Sequence, residues 1–291
     1  LPILTTEIAR KLGKAHILPP KITIPTLVRF FQMLKDVSKA FLTGLLAPWR
    51  ALAFSKTQRF WHYYLLPMLL NLLLFTLLLV GAYFFSDFAN EKVQHWLQIE
   101  TWGSLWRGVF AWLFRILLFL SLFLLYFKTY KILLLTLLSP LFSFIAGKIE
   151  EMQNPQWEAP PFSWTIFWQD LRRSLIINLT NLAIELSLTT PLLLLGFFVS
   201  VLSPFTTLLV VLIESFFWGF GLFDFRNEVL RRNVAESRAF IWQNKALALG
   251  LGLMVYLMLL VPIVGVLIAP ILGVIGACRA SWALDTAQKA E

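Results

Sequence analysis

A single cysteine, Cys278, stands in a chain of 291 residues, so no internal disulfide can form and thiol usage says nothing about redox compartment. Histidine is almost as scarce. His16, His62 and His95 lie far apart and lack the HxxxH-type spacing of a zinc or haem site. Neither a Gly-rich phosphate loop nor a Ser/Cys–His arrangement can be assembled. No catalytic centre, metal or cofactor is therefore expected, and an ATP-driven mechanism would need a partner. The largest deficit is in charge. Asp, Glu, Lys and Arg make up 14% of the chain, against about a quarter in a soluble domain. Three long stretches, Phe60–Ser86, Leu186–Ile213 and Ala246–Cys278, contain none of the four.

What fills the space is apolar: 58% of the residues are hydrophobic and 15% aromatic, a load suited to lipid and its interfaces. The composition specifies an all-α integral membrane protein. Its net charge of +9 is carried by clusters that flank the apolar runs. Ten basic and two acidic residues precede Phe60, and five basic residues lie in each of Lys128–Arg173 and Asp224–Lys245. The segment Ser86–Trp106 sets Lys92 against Asp87, Glu91 and Glu100. By the positive-inside rule only that segment belongs outside the cytoplasm. No single basic patch forms, so nucleic acid is not an expected partner.

Residues 1–25 end in "HILPPKITIP", where three prolines forbid a continuous helix, giving an irregular leader without the apolar core of a secretory signal. From Thr26 to Leu46, Leu27, Phe30, Phe31, Leu34, Val37, Phe41 and Leu45 share one face, with Arg29, Lys35 and Lys39 opposite. That pattern predicts an amphipathic helix for the cytoplasmic bilayer surface or for the protein's own cytoplasmic face, within an interfacial unit over 26–62. A single membrane domain is expected over 63–285, with a short tail over 286–291. Its first span is Tyr63–Phe85, with Pro67 in the opening turns and a deep Asn71 that needs a partner on another helix. The second, 103–127, carries Arg115, and its helical character is expected to run past Lys131 and to protrude into the cytoplasm.

Two further apolar stretches have basic residues at both ends, so the chain must enter the bilayer and return. One hairpin is expected over 174–223, interrupted at Pro191 and at "LSPFT" (202–206), and long enough for one arm to cross. The other lies over 246–282. Its 33 uncharged residues would span about 50 Å as one helix, but are too few for two crossings of about 20 residues each. Pro262 and Gly265 in "VPIVG" are expected to reverse a re-entrant hairpin, which needs a protein-lined interior and, with it, more than one hairpin or subunit.

"YYLLPMLLNLLLF" in the first span is similar to the proline–asparagine signature of the CysZ-type sulfate permease and etoposide-induced membrane protein family. "LSPLFSFIAGKIEE" (138–151) resembles that family's Pro-Phe-x-Gly-Leu-Leu-Ala-Glu segment. "GLFDFRNEVLRRNVAESRAFIWQNK", "VPIVGVLIAPILGVIGACRASW" and the Gly276–Trp282 close look like its C-terminal portion. The resemblance covers about residues 40–285, in order. It implies two long membrane helices with hairpins that enter part of the bilayer. The function it implies is an inner-membrane permease that takes up sulfate or a similar small anion; the basic flanks put its N-terminus in the cytoplasm, and the buried turn points to a homo-oligomer in the lipid bilayer.

An anion site can then be sought among this chain's residues. Pro140 at a first helical position would leave the amides of Leu141, Phe142 and Ser143 free for a tetrahedral anion, with the Ser143 hydroxyl as a further donor. Arg172 and Arg173 would add bidentate pairing, and Arg59 is a third cation. The sequence departs from the family in two places: Trp61 and His62 stand where relatives carry arginine, and Gly147 where they carry glutamate. Arg115, Glu185 and Glu214 are ionisable groups within apolar sequence. They are expected either to couple transport to protons or to form a structural ion pair. Asp224 is expected to cap a helix or to pair with arginine. The contrasting expectation is a membrane scaffold or interaction protein that keeps the fold without transport.

Overall fold

The computed structural model describes residues 24–96, 128–161, 163–261 and 263–290, together with positions 108, 109, 112, 113 and 116. Every regular element among them is helical: α1 (Ile24–Thr57), a 3-10 turn (Phe60–Tyr63), α2 (Leu65–Trp96), α3 (Lys128–Leu137), α4 (Ser139–Gln153), α5 (Trp164–Phe198), α6 (Ser203–Val229), α7 (Val234–Gln243), α8 (Lys245–Leu259) and α9 (Val264–Ala290). Four stretches are long and apolar enough to cross a membrane, over 60–85, 164–198, 200–229 and 264–286. Leu65, Leu69, Leu73, Leu77 and Phe84 of α2 lie exposed, as side chains facing lipid should. Asn71 is buried within that row, and its amide finds partners on two other elements. Its Nδ2 donates to the Val266 carbonyl at 2.5 Å, and its Oδ1 accepts from the Tyr130 hydroxyl at 2.8 Å.

The first hairpin is α5 followed by α6. Its arms are longer than expected, because α5 runs straight through Pro191 and reverses only at Val199–Leu202. At about 52 Å, α5 exceeds the hydrocarbon thickness. A proline inside a membrane helix is tolerated because neighbouring groups take up the freed backbone carbonyl. The same holds for Pro48, through which α1 continues to Thr57, beyond the expected limit near Leu46.

The second hairpin is α8 and α9, which break between Leu259 and Val264 instead of forming one helix. With 15 residues, α8 rises only about 22 Å and cannot cross. Ile263 turns the chain with φ 62°, a strained value for a β-branched residue. Gly265 is required by close approach: a Cβ there would stand 1.8 Å from the Met258 carbonyl oxygen. The returning arm does not stop at the expected limit near Trp282. It continues to Ala290, held by Asp285 against Arg226 and Arg232.

α8 sits at the centre, against α1 on one side and α6 on the other. A Cβ on Gly250 would fall 2.1 Å from the Phe41 oxygen of α1, and one on Gly252 only 1.7 Å from the Ser215 oxygen of α6. Small residues thus let three backbones meet where side chains would hold them apart. Gly252→Val should accordingly abolish recovery of monodisperse protein in detergent, read by size-exclusion chromatography. Gly81→Ala, where nothing lies within 4 Å, should leave the profile unchanged. Equal recovery of both variants would refute the packing argument.

The segment after Lys131 does not protrude. It bends by 57° between α3 and α4, and α4 buries Phe142, Ile145, Ala146 and Ile149. That apolar face is stabilised by packing on α6 and α9 more than it would be in water. Of the expected second span, positions 108, 109, 112, 113 and 116 are described, all helical, and the rest lies outside the described residues.

Candidate functional site

The bend that folds α4 back also opens a cavity of about 290 Å³. Pro140, Ser143 and Gly147 form one wall, Trp157 and Pro160 of the following loop another, and Asp170, Glu228 and Arg231 the third. The Trp157 ring covers Gly147, and a Cβ built there would touch it at 3.5 Å, in ordinary van der Waals contact. Arg231 is placed by the end of α6. The Arg232 amide donates to the Asn227 carbonyl and the Arg231 amide to that of Glu228, each at 2.9 Å. Those bonds make a Schellman cap, with Arg231 at φ 56° in the left-handed position that glycine normally fills.

Charges in and beside the cavity are already paired within the protein. Arg231 Nη1 donates to Asp170 at 2.7 Å, and Lys148 Nζ to Glu151 at 2.7 Å. The Ser143 hydroxyl donates to Glu228. Arg173 forks onto Asp224 at 2.8 and 2.9 Å and reaches Glu228 at 3.3 Å, while the Ser237 hydroxyl donates to Asp224 at 2.5 Å. Asp224 therefore has the arginine partner expected of it. The Arg173 fork is committed to carboxylate, so it is not a free clamp for an anion. Arg231 is the most exposed cation of these, with its side chain 47% accessible; a pair with so exposed a partner is worth about 0–1 kcal/mol and opens readily.

The free-amide expectation is corrected by the bend. The amides of Leu141 and Phe142 both donate to the Leu138 carbonyl, at 3.1 and 2.9 Å, because Leu138 caps the new helix and its carbonyl accepts both first-turn bonds. Phe142 is fully buried and stacks edge-on with Phe225. Of the 141–143 group, Ser143 alone lines the cavity. Arg172 is exposed and outside the cavity lining. Arg59, exposed in the left-handed region at φ 53°, stands at the corner before the 3-10 turn, also outside that lining.

A second polar assembly lies deeper. Along α5, Ser174, Asn178, Asn181, Glu185 and Thr189 are all buried, a spacing that puts them on one face. Ser174 donates to the Leu135 carbonyl and Asn178 to Thr136, each at 3.2 Å, and Thr189 to the Glu185 carbonyl at 2.8 Å. Glu185 and, from α6, Glu214 meet Lys128 and Lys131 of α3. Lys128 bonds to both glutamates, and Lys131 reaches Glu185 at 2.5 Å and Glu214 at 3.6 Å. The ion-pair expectation for Glu185 and Glu214 thus meets two lysines as partners, and Arg115 lies outside the described residues.

Sequence reasoning missed Lys128 and Lys131, which read as the cytoplasmic flank of a span, and missed Asp170, Glu228 and Arg231. A signal for the deep cluster was present. Glu185 and Glu214 stand at nearly equal distances on either side of the turn at 199–202, so an antiparallel hairpin sets them face to face.

Residues 47–270 match the family model described as sulfate transporter CysZ/etoposide-induced protein 2.4. A curated relative from Pseudomonas paraeruginosa (strain DSM 24068 / PA7), named Sulfate transporter CysZ, is 25% identical over 228 residues, covering 78% of this chain and 88% of the relative. The protein of the same name from Pseudomonas aeruginosa (strain LESB58) is 24% identical over 231 residues, with the same two coverages.

Proposed function

Since the chain belongs to the sulfate transporter CysZ/etoposide-induced protein 2.4 family, we propose that this multi-pass membrane protein carries sulfate, or an anion like it, into the cytoplasm. It acts as a transporter and not an enzyme. The basic flanks support an inner-membrane setting with the N-terminus cytoplasmic, and the exposed apolar hairpin tips, Val201 and Ile263 among them, support a homo-oligomer that would cover them.

The observation that carries the reading is the buried polar face of α5 between the cavity and the four-charge cluster. Polar groups in a spanning helix are expensive and mark substrate paths. At the mouth, the first cations an anion meets are Arg231 and Lys148, in company with the Ser143 hydroxyl. Arg173 holds the wall through Asp224, and Arg172 and Arg59 contribute field and not contact. The left-handed strain at Arg231 supports the same role. Glycine would be better there by about 1 kcal/mol, so a side chain at that position is retained for what it touches.

A non-transporting scaffold is favoured by one observation, the pairing of every charged group in the cavity with another. Initial rates of radiolabelled sulfate uptake into vesicles containing the purified protein decide between the two. Uptake above protein-free vesicles is expected, and its absence from well-folded protein would leave the scaffold. Arg231→Gly then separates function from structure. It should raise the melting temperature by relieving strain, yet raise the half-saturating sulfate concentration roughly 10-fold, the loss expected for one charge-assisted bond. Unchanged half-saturation would remove Arg231 from the mouth.

A further inference from the structure

Asn181 is the break in the α5 stripe. Its neighbours on that face each find a partner, but Asn181, 5% exposed, has none for either its amide nitrogen or its amide oxygen among the described residues. Both atoms are enclosed, and the side chain lines a small cavity with Lys131, Asn178, Glu185 and Phe217. At about 10 Å³, that space is near the least that one water needs. A buried amide without partners is destabilising, and a leucine of similar shape would pack there at no such cost. Phe217 and Leu182 would accept it. The amide is therefore retained for a ligand.

The ligand's chemistry follows from the donors. Asn181 Nδ2 offers an uncommitted N–H, and Lys131 Nζ lies 2.5 Å from Glu185 and 3.6 Å from Glu214, over the Phe217 and Trp218 rings. Together they suit an oxygen that bears negative charge. We propose that Asn181 and Lys131 form an interior subsite for the transported oxyanion, reached after the mouth cavity, with water taking the place when no anion is there. Lys131 releases Glu185 to receive the anion, which is larger than the cavity, so separation of α3 from α5 accompanies its passage. The inference rests on the transport reading.

The test is sulfate uptake by Asn181→Leu and Asn181→Ala in vesicles, with melting temperatures in detergent measured beside it. The expected result is a maximal rate lowered roughly 10-fold or more, the loss of one hydrogen bond to a charged group. Half-saturation, set at the mouth, should change less than 2-fold, roughly the scatter of such bonds, and the melting temperature of Asn181→Leu should be equal or higher. Wild-type rates in both variants would overturn the subsite while leaving transport intact. Loss of rate only in proportion to lost stability in both variants would make Asn181 structural and overturn it equally. Absence of uptake by the wild type would overturn the transport reading, and the subsite with it.

Discussion

Lys131→Met is expected to abolish sulfate uptake and to lower stability by about 3–5 kcal/mol, the cost of removing one partner from a buried ion pair. Glu185 is 1% exposed in its side chain and Lys131 9%, so neither charge has water to fall back on. The cluster is neutral as a whole: two lysines of α3 answer one glutamate from each arm of the first hairpin. Taking away one cation leaves a net carboxylate charge at a depth where it is costly. Taking charges away in pairs should not. Lys131→Met combined with Glu185→Gln should recover most of the lost stability, because a neutral amide can keep the Lys128 contact. Uptake should remain absent in the double variant if the cluster lies on the path, and return if it is only glue. Melting temperature and vesicle uptake measured on both variants and on the wild type check both halves. A single Lys131→Met variant as stable as wild type would show that the four-charge arrangement contributes nothing.

The all-helical membrane character was legible because it rests on composition, and the use of helical hairpins because charge-free runs stand between basic flanks. The reversal near Gly265 was legible for the same reason, since 33 uncharged residues fit neither one crossing nor two. Helix ends were less so. Pro48 and Pro191 read as interruptions, yet α1 and α5 pass through them, because a missing N–H is a local defect that tertiary packing absorbs. The candidate site was legible only as a neighbourhood. Pro140, Ser143 and Gly147 do line one cavity. But Arg173 is spent on Asp224, and the amides of Leu141 and Phe142 on Leu138. Whether the Arg173 fork is free depends on a carboxylate 51 positions away, and no local pattern encodes that pairing. The sign of Lys128 and Lys131 was misleading for a related reason. Basic residues at the end of an apolar run signal a cytoplasmic flank, and here α3 instead turns them inward toward carboxylates on α5 and α6.

The second large effect is expected at Arg226, which decides whether the cavity has a fixed shape at all. Its guanidinium is 2% exposed in side chain and joins three helices. Nε and Nη2 fork onto Glu150 of α4 at 2.8 and 3.3 Å, while Nη1 reaches Ser281 at 3.2 Å and Asp285 at 2.5 Å on α9. Because α4 carries Ser143 and Gly147, and α6 carries Glu228 with Arg231 in the cap at its end, this one side chain sets the distance between two cavity walls. Arg226→Met would strand Glu150 without a cation and should cost about 3–5 kcal/mol, enough to empty the folded fraction of a marginal membrane domain. Arg226→Lys keeps the charge but not the planar fork. It should therefore fold, melt lower, and bind sulfate at the mouth more weakly, since Glu150 and Asp285 cannot both be held by a single ammonium. Arg226→Met with Glu150→Leu removes both buried charges and replaces them with apolar volume, an exchange that is often neutral or stabilising. The expected order of melting temperature is wild type and the double variant together, then Arg226→Lys, then Arg226→Met. An Arg226→Lys protein indistinguishable from wild type in both melting and sulfate half-saturation would mean that charge alone matters and that the fork does not fix the walls.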